Sequence, residues 1–300
     1  MTDAPTVVQL ISNAAKALER ADVSFGHGTT NAFDEAAWLV LWQLGLPLDT
    51  DLDRLNGRAA EPVSPAQAAK VAQLLQRRIE ARQPTAYLTG EAWLHGVPFT
   101  ADPRAIVPRS LIAELLVAGE LDHWLAPGAA RALDLCTGGA SLAVLAAQTW
   151  PTMQIDAADI SHDALALAQL NVQRHGLDGR IHLVYGDGLD AASGRYDVIL
   201  CNPPYVNSAS MGLLPPEYRA EPVIALHGGA DGMDFVRGLL HGAPAFLKDD
   251  AALVLEIGHE RDHFEAAFPR LEAIWLETSS GADQVCALTC AALRNNYPAP

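Results

Sequence analysis

Ala132-Leu133-Asp134-Leu135-Cys136-Thr137-Gly138-Gly139-Ala140-Ser141 is the stretch on which the fold turns. A short apolar run ends in a glycine turn and passes straight into Ser141 to Thr149, which has the length and composition of a helix. Glycines in a strand-to-helix turn let backbone come close to a ligand. The alternation continues downstream. Ile155 to Ile160, Ile181 to Tyr185, Val198 to Cys201 and Ala252 to Ile257 are strand-like, while His162 to His175 and Asp234 to Phe246 are helix-like. The order βαβα predicts a parallel sheet covered on both faces. Ala273 to Glu277 and Gln284 to Thr289, joined across Ser279-Ser280-Gly281, predict a terminal antiparallel pair.

Upstream the pattern is helical. Apolar residues recur at helical spacing in Val7 to Leu18, Ala36 to Leu44 and Ala66 to Ile79, and Ser64 with Gln67 reads as a capping box before the third run. Residues 1–84 are therefore expected to form a small helical substrate-binding domain. Trp93, Gly96 and Phe99, followed by Ile106-Val107-Pro108, predict a hairpin linker over 85–108, which leaves 109–300 for the α/β domain.

Half of the 300 residues are apolar, enough for a sizeable core. No apolar run reaches the length of a membrane span, and Met1 to Pro5 has no basic cluster of the kind a signal peptide carries. A cytoplasmic protein with reduced cysteines and no membrane partner is expected. Cys136, Cys201, Cys286 and Cys290 have spacings of neither a disulfide framework nor a zinc ribbon. The first 82 residues carry 8 Lys/Arg against 10 Asp/Glu, and the remainder, with 12 against 26, stands at −14. Duplex nucleic acid is bound through cations, so so acidic a catalytic part points away from it and toward a basic protein partner. Keeping the chain soluble is the other use of such charge. Oligomeric state is not fixed by any of these features.

Three carboxylates fall at successive strand ends: Asp134, Asp159 and Asp187. An open parallel sheet binds ligands at the carboxyl ends of its strands, and an acid about 20 residues beyond the glycine turn is placed to accept from ribose hydroxyls. Two adjacent glycines can also be a plain helix entry. A nicotinamide site would share the acids but prefers a full G-x-G-x-x-G, which this turn lacks.

Asn202-Pro203-Pro204-Tyr205, directly after the fourth strand, carries the sharpest chemistry. An amide or exocyclic amine nitrogen is a poor nucleophile because its lone pair is delocalised. The Asn202 side-chain oxygen and the Pro203 carbonyl can hold its two N–H groups, prolines make those acceptors rigid, and the Tyr205 ring can stack on the flat group. Pro-Pro alone could merely end a strand.

His259-Glu260-Arg261-Asp262-His263 matches the H-E-x-x-H zinc pattern, yet His259 follows a strand and Gly258 rather than lying within a helix. Polar surface at a helix start is the expected reading, with no metal. Cys136 and Cys201 each end an apolar strand and read as small buried residues rather than nucleophiles.

Taken together, these residues resemble the protein-glutamine N5-methyltransferases, and the resemblance covers nearly the whole chain. Phe25-Gly26-His27-Gly28-Thr29-Thr30-Asn31 with Asp34-Glu35-Ala36, Val107-Pro108-Arg109-Ser110, and Glu217-Tyr218-Arg219-Ala220-Glu221-Pro222 resemble the branch that acts on large-subunit ribosomal protein L-three. Leu111 departs from a proline of that branch, Ala140 stands where the family turn has a further glycine, and Gly188 stands where the release-factor branch has an adenine-stacking tryptophan.

The resemblance implies a Rossmann-like, seven-stranded class I methyltransferase domain that uses S-adenosylmethionine. It implies cofactor contacts from Asp134, Cys136, Thr137, Gly138, Gly139, Ala140, Asp159, Ile160, Asp187, Gly188 and Asn202, and a catalytic group of Asn202, Pro203, Pro204 and Tyr205. Met211 to Glu221 is expected to cover the substrate, a glutamine of protein L-three. Alternatives are the release-factor glutamine, an exocyclic amine of DNA or RNA, and a non-catalytic cofactor-binding module.

Overall fold

The computed structural model describes residues 4–53 and 57–297, so Met1 to Asp3 of the leader reading lie outside the described residues. Two compact units are present: Met1–Glu91 with Pro215–Ala220, and Ala92–Leu214 with Glu221–Pro300.

The first unit is built on α1 (Val7–Arg20), α2 (Ala32–Leu44), α3 (Pro65–Ala81) and the short α4 (Thr85–Thr89). Thr6 and Gln9 form a capping box at α1, and Ser64 and Gln67 form the expected one at α3 with Pro65 in its first turn. Ile11, Leu18, Ala36, Val40, Leu41 and Val71 pack into its core. An ionic cluster lies beside that core. Arg78, 1 % exposed, donates from Nε to Glu35 at 2.6 Å and from Nη1 to Glu217 at 3.0 Å. Arg82 adds a second cation to Glu217 at 3.1 Å. The Pro215–Ala220 segment, more than a hundred residues downstream, is thus fastened into the helical unit by charge.

A hairpin, β1 (Glu91–Leu94) and β2 (Val97–Thr100), belongs to the second unit from Ala92 onward, and α5 (Ile112–Val117) follows it. Ile106-Val107-Pro108 is not a strand of that hairpin. It is irregular chain whose Val107 N–H donates to Glu221 at 2.9 Å.

There follow β3 (Arg131–Leu135), α6 (Ser141–Thr149), β4 (Gln154–Asp159), α7 (His162–Arg174), β5 (Ile181–Tyr185), β6 (Tyr196–Cys201), α8 (Ser208–Leu213), α9 (Asp234–Phe246), β7 (Leu247–Glu256), α10 (Arg261–Ala267), β8 (Ile274–Thr278), β9 (Gly281–Thr289) and α11 (Cys290–Asn296). The seven strands run in the order β5-β4-β3-β6-β7-β9-β8; β3 to β7 pair in parallel, and β9 lies antiparallel to both β7 and β8.

Both faces are covered, which is why these strands are almost continuously apolar. Along β6, Val198 and Leu200 join one core with residues of α5, α6 and α7, while Ile199 and Cys201 join the other with residues of α9, α10 and α11. Strand order reverses between β3 and β6, whose neighbours β4 and β7 lead away on opposite sides. Open sheets bind ligands in the crevice outside the carboxyl ends of strands at such a point.

Candidate active site

At that point lies a cavity of about 420 Å3, within the range of small-molecule and cofactor sites. Its wall brings together Cys136 and Gly138 after β3, Asp159 and Ile160 at the end of β4, Asp187 and Gly188 after β5, and Asn202 with Pro204 after β6. Eight of the residues singled out in the sequence therefore line one space.

The turn after β3 is built from alternating left-handed residues: Cys136 at φ 57°, Gly138 at 54° and Ala140 at 62°. Ala140 is fully buried and forms the N-cap of α6. Its methyl points into the core instead of the cavity, and a non-glycine residue in this conformation carries strain. Asp134, Thr137, Gly139 and Ala140 lie outside the cavity wall and hold the turn in shape. Asp134 accepts from Thr137 Oγ1 at 2.5 Å and from the Ala143 N–H at 3.0 Å. The Gly139 carbonyl oxygen accepts from Asn171 Nδ2 at 2.9 Å.

Asp159 accepts the Gly138 N–H and the Ser161 N–H, one on each oxygen, both at 2.9 Å. It so locks the glycine turn to the end of β4 while keeping lone pairs toward the cavity. Burial pushes its carboxyl above the usual range, and it pushes Asp134 up to about 7. Burial also raises Glu256, at the end of β7, although Ser110 Oγ donates to it at 2.5 Å. The Oδ1 atom of Asp134 is buried with no hydrogen-bond partner among the described residues.

Asn202-Pro203-Pro204-Tyr205 is seated in glycines. A methyl at Gly228 would come 2.6 Å from the Pro204 carbonyl oxygen, one at Gly258 would come 2.5 Å from the Tyr205 ring, and one at Gly232 would strike the Tyr205 carbonyl oxygen. Gly232 and Gly258 also have positive φ, at 79° and 53°. Only glycine suits both demands. Pro203 is buried beneath the cavity wall, and Asn202 reaches it. The Asn202 side chain has no hydrogen bond to another described residue, so its acceptor and donors stay open to a ligand. Tyr205 does not line the cavity; its ring packs on Gly258.

Several wall residues were not among the site residues expected from the sequence. Arg104, Ala105 and Ile106 come from the irregular chain after the hairpin, and Pro222 to Ala225 with His227 from the chain after Glu221. Phe235, on α9, lies beside Gly188, 3.3 Å from where a Cβ would stand. An aromatic ring is thus supplied to the region next to Gly188 from a distant helix.

Met211 to Glu221 is divided: Ser208–Leu213 is helix in the second unit, Pro215–Ala220 belongs to the first, and Glu221 is held by Arg109. One expectation is corrected, because Glu260 is no surface residue. It is 7 % exposed and accepts from Asn207 Nδ2 at 2.7 Å, while His263 Nδ1 lies 2.5 Å away. His259 sits in the turn before α10, off the helix that carries His263.

A parallel sheet with this strand order, a glycine turn after its first strand and an acid on the second defines a class I methyltransferase, whose cofactor is S-adenosylmethionine. Residues 114–213 match the methyltransferase small domain. The catalytic domain of hMettl16, solved with an RNA hairpin from MAT2A, is 17 % identical at a TM-score of 0.50, covering 84 % of this chain and 89 % of that one, and shares the fold alone. The ribosomal protein uL3 glutamine methyltransferase of Bordetella pertussis is 53 % identical, with 95 % of each chain covered. Its counterpart in Burkholderia pseudomallei is 48 % identical over 95 % of this chain and 96 % of its own, and that of Neisseria meningitidis serogroup B is 44 % identical over 95 % and 93 %. The chain belongs to the ribosomal protein uL3 glutamine methyltransferase family.

Proposed function

We propose that this chain, acting in the cytoplasm, methylates the side-chain amide nitrogen of a glutamine in ribosomal protein uL3. The observation that carries the reading is Asn202, its side chain unengaged, at the rim of a cavity that also contains Gly138 and Asp159.

S-adenosylmethionine supplies a methyl group on a sulfonium sulfur. Asp159 would hold its ribose hydroxyls, Ile160 and Phe235 would border its adenine, and Cys136 with Gly138 would face its methionine part. Asp134 and Thr137 act beneath, shaping the turn and lending negative charge. Asn202 Oδ1 and the Pro203 carbonyl accept the two N–H bonds of the substrate amide, which turns its lone pair toward the methyl carbon. Rigid acceptors placed before the reaction cost no reorganisation during it. After transfer the nitrogen is strongly acidic and loses its extra proton to water. The acidic second unit suits a basic ribosomal protein.

Incubation with methyl-labelled cofactor, purified uL3 and a purified release factor tests this. Label on a uL3 glutamine is expected. Label on the release factor alone, or label removed by nuclease, overturns it.

A further inference from the structure

Cys136 and Cys201 stand next to each other across β3 and β6. Leu135 is the register partner of Cys201, so Cys136 is one residue past that pairing, and both sulfur residues pack in the core on the α9 side of the sheet. Neighbouring parallel strands bring such positions within the Cα separation a disulfide spans. Their exposures differ. Cys136 is half-buried on the wall of the cavity, whereas Cys201 is fully buried and directly precedes Asn202. Neither has a part in positioning the substrate amide, and nothing in methyl transfer uses a thiol.

We propose that Cys136 and Cys201 are a peroxide-sensitive thiol pair that closes to a disulfide when the cofactor cavity is empty, and so disables cofactor binding. The shielding half of this rests on the assignment of the cavity to S-adenosylmethionine.

Access decides the order of events. Cys136 is the thiol that a solute entering the cavity meets, and thiolate is the attacking form. Its sulfur attacks one oxygen of hydrogen peroxide, the O–O bond breaks, and the departing hydroxide takes a proton to leave as water. Cys136 is then a sulfenic acid. The Cys201 sulfur attacks the Cys136 sulfur, the S–O bond breaks, and the Cys201 proton leaves with the hydroxyl as a second water. The two sulfurs have given up two electrons, and peroxide has accepted them. Burial raises the Cys201 thiol well above its ordinary pKa, so Cys201 does not react first; it attacks only as its proton passes to the departing hydroxyl. Closing the bond ties the turn that carries Gly138 to the end of β6, directly before Asn202. Cys286 and Cys290, both buried, serve as internal controls.

The test treats reduced, full-length protein with hydrogen peroxide, with and without saturating S-adenosylmethionine, blocks the remaining thiols and maps linked peptides by mass spectrometry. A Cys136–Cys201 linkage is expected, slowed several-fold by the cofactor. Cofactor binding is lost on oxidation and returns on treatment with dithiothreitol. In Cys201→Ala, the resolving thiol is gone, so Cys136 proceeds to sulfinic acid and binding does not return. A Cys136 that oxidises in the unaltered protein without ever linking to Cys201, or linkage through Cys286 or Cys290, overturns the proposal. Linkage at equal rates with and without cofactor supports the pair but removes the cofactor from this cavity. That result separates the two readings.

Discussion

Arg109 and Glu221 meet through two parallel hydrogen bonds, Nη1 to Oε1 at 2.5 Å and Nη2 to Oε2 at 2.6 Å, and the carboxylate also accepts the Val107 N–H. Glu221 immediately precedes Pro222 to Ala225, and Arg109 follows closely on Arg104 to Ile106, so this pair joins two walls of the cavity that are distant in sequence. Two-pronged pairing fixes orientation as well as distance. Glu221→Ala should cost about 3 kcal/mol of stability, since it leaves a partly buried guanidinium without its main acceptor. It should also weaken S-adenosylmethionine binding. Denaturant melts and calorimetry measure both, and an unchanged affinity would show the walls to be held by other means.

Asn202→Ala should leave cofactor affinity close to normal and lower methyl transfer at least about a hundredfold, because an acceptor aimed at the reacting group acts mainly in the transition state. Single-turnover transfer from labelled cofactor reads the rate. A mild loss would mean that the Pro203 carbonyl suffices.

Phe235→Ala should raise the dissociation constant for S-adenosylmethionine roughly tenfold, the scale of one base-aromatic stack, with little effect on the rate at saturation. The position of the ring beside Gly188 motivates this. Equal affinity in the variant would place the adenine elsewhere.

Asp134 gives a pH-dependent prediction. Its folded pKa, about 7, lies above the ordinary carboxyl value because the group is buried. The folded chain therefore holds a proton that the unfolded chain has released, and stability falls as pH rises from about 4 to 7, by up to about 4 kcal/mol. Asp134→Asn removes that slope. Its melting temperature should exceed that of the unaltered protein at pH 8, with the gap narrowing at pH 5.5, while cofactor affinity drops for want of the negative charge. A gap that stays constant with pH would mean that Asp134 does not titrate in this range.

Arg78→Met should destabilise the helical unit by about 3 kcal/mol or more, because Glu35 and Glu217 are then buried carboxylates short of a cation. Chemical denaturation followed by circular dichroism measures the loss, and a neutral outcome would mean that Arg82 satisfies Glu217 alone.

Much of the fold was legible because it is written in local periodicity. Ser141–Thr149, Ile181–Tyr185 and Asp234–Phe246 have in the structure the bounds expected from sequence. β7 was read too short: Lys248, Asp249 and Asp250 are polar and exposed, yet Tyr196 pairs with Leu247 ahead of them. In the cavity wall, Asp159 and Asn202 were legible since each ends a strand, and topology alone carries a strand end to the ligand edge. Phe235 and Ile106 were not. A phenylalanine within an amphipathic helix, or an isoleucine in irregular chain, acquires its place only through tertiary packing. Ala140 was read as an extra methyl near the cofactor, and its left-handed turn into the core could be known only from backbone angles.

The presence of Pro215–Ala220 in the helical unit makes this protein poor material for shuffling. A gene fragment cut after Glu91 would encode Arg78 and Arg82 but not Glu217, and the remainder would keep an acid whose cations had been cut away. Recombination could exchange the catalytic half among relatives only by carrying this short insert along with the amino-terminal half. Substrate recognition and chemistry, to whatever extent the units divide them, must then be inherited together.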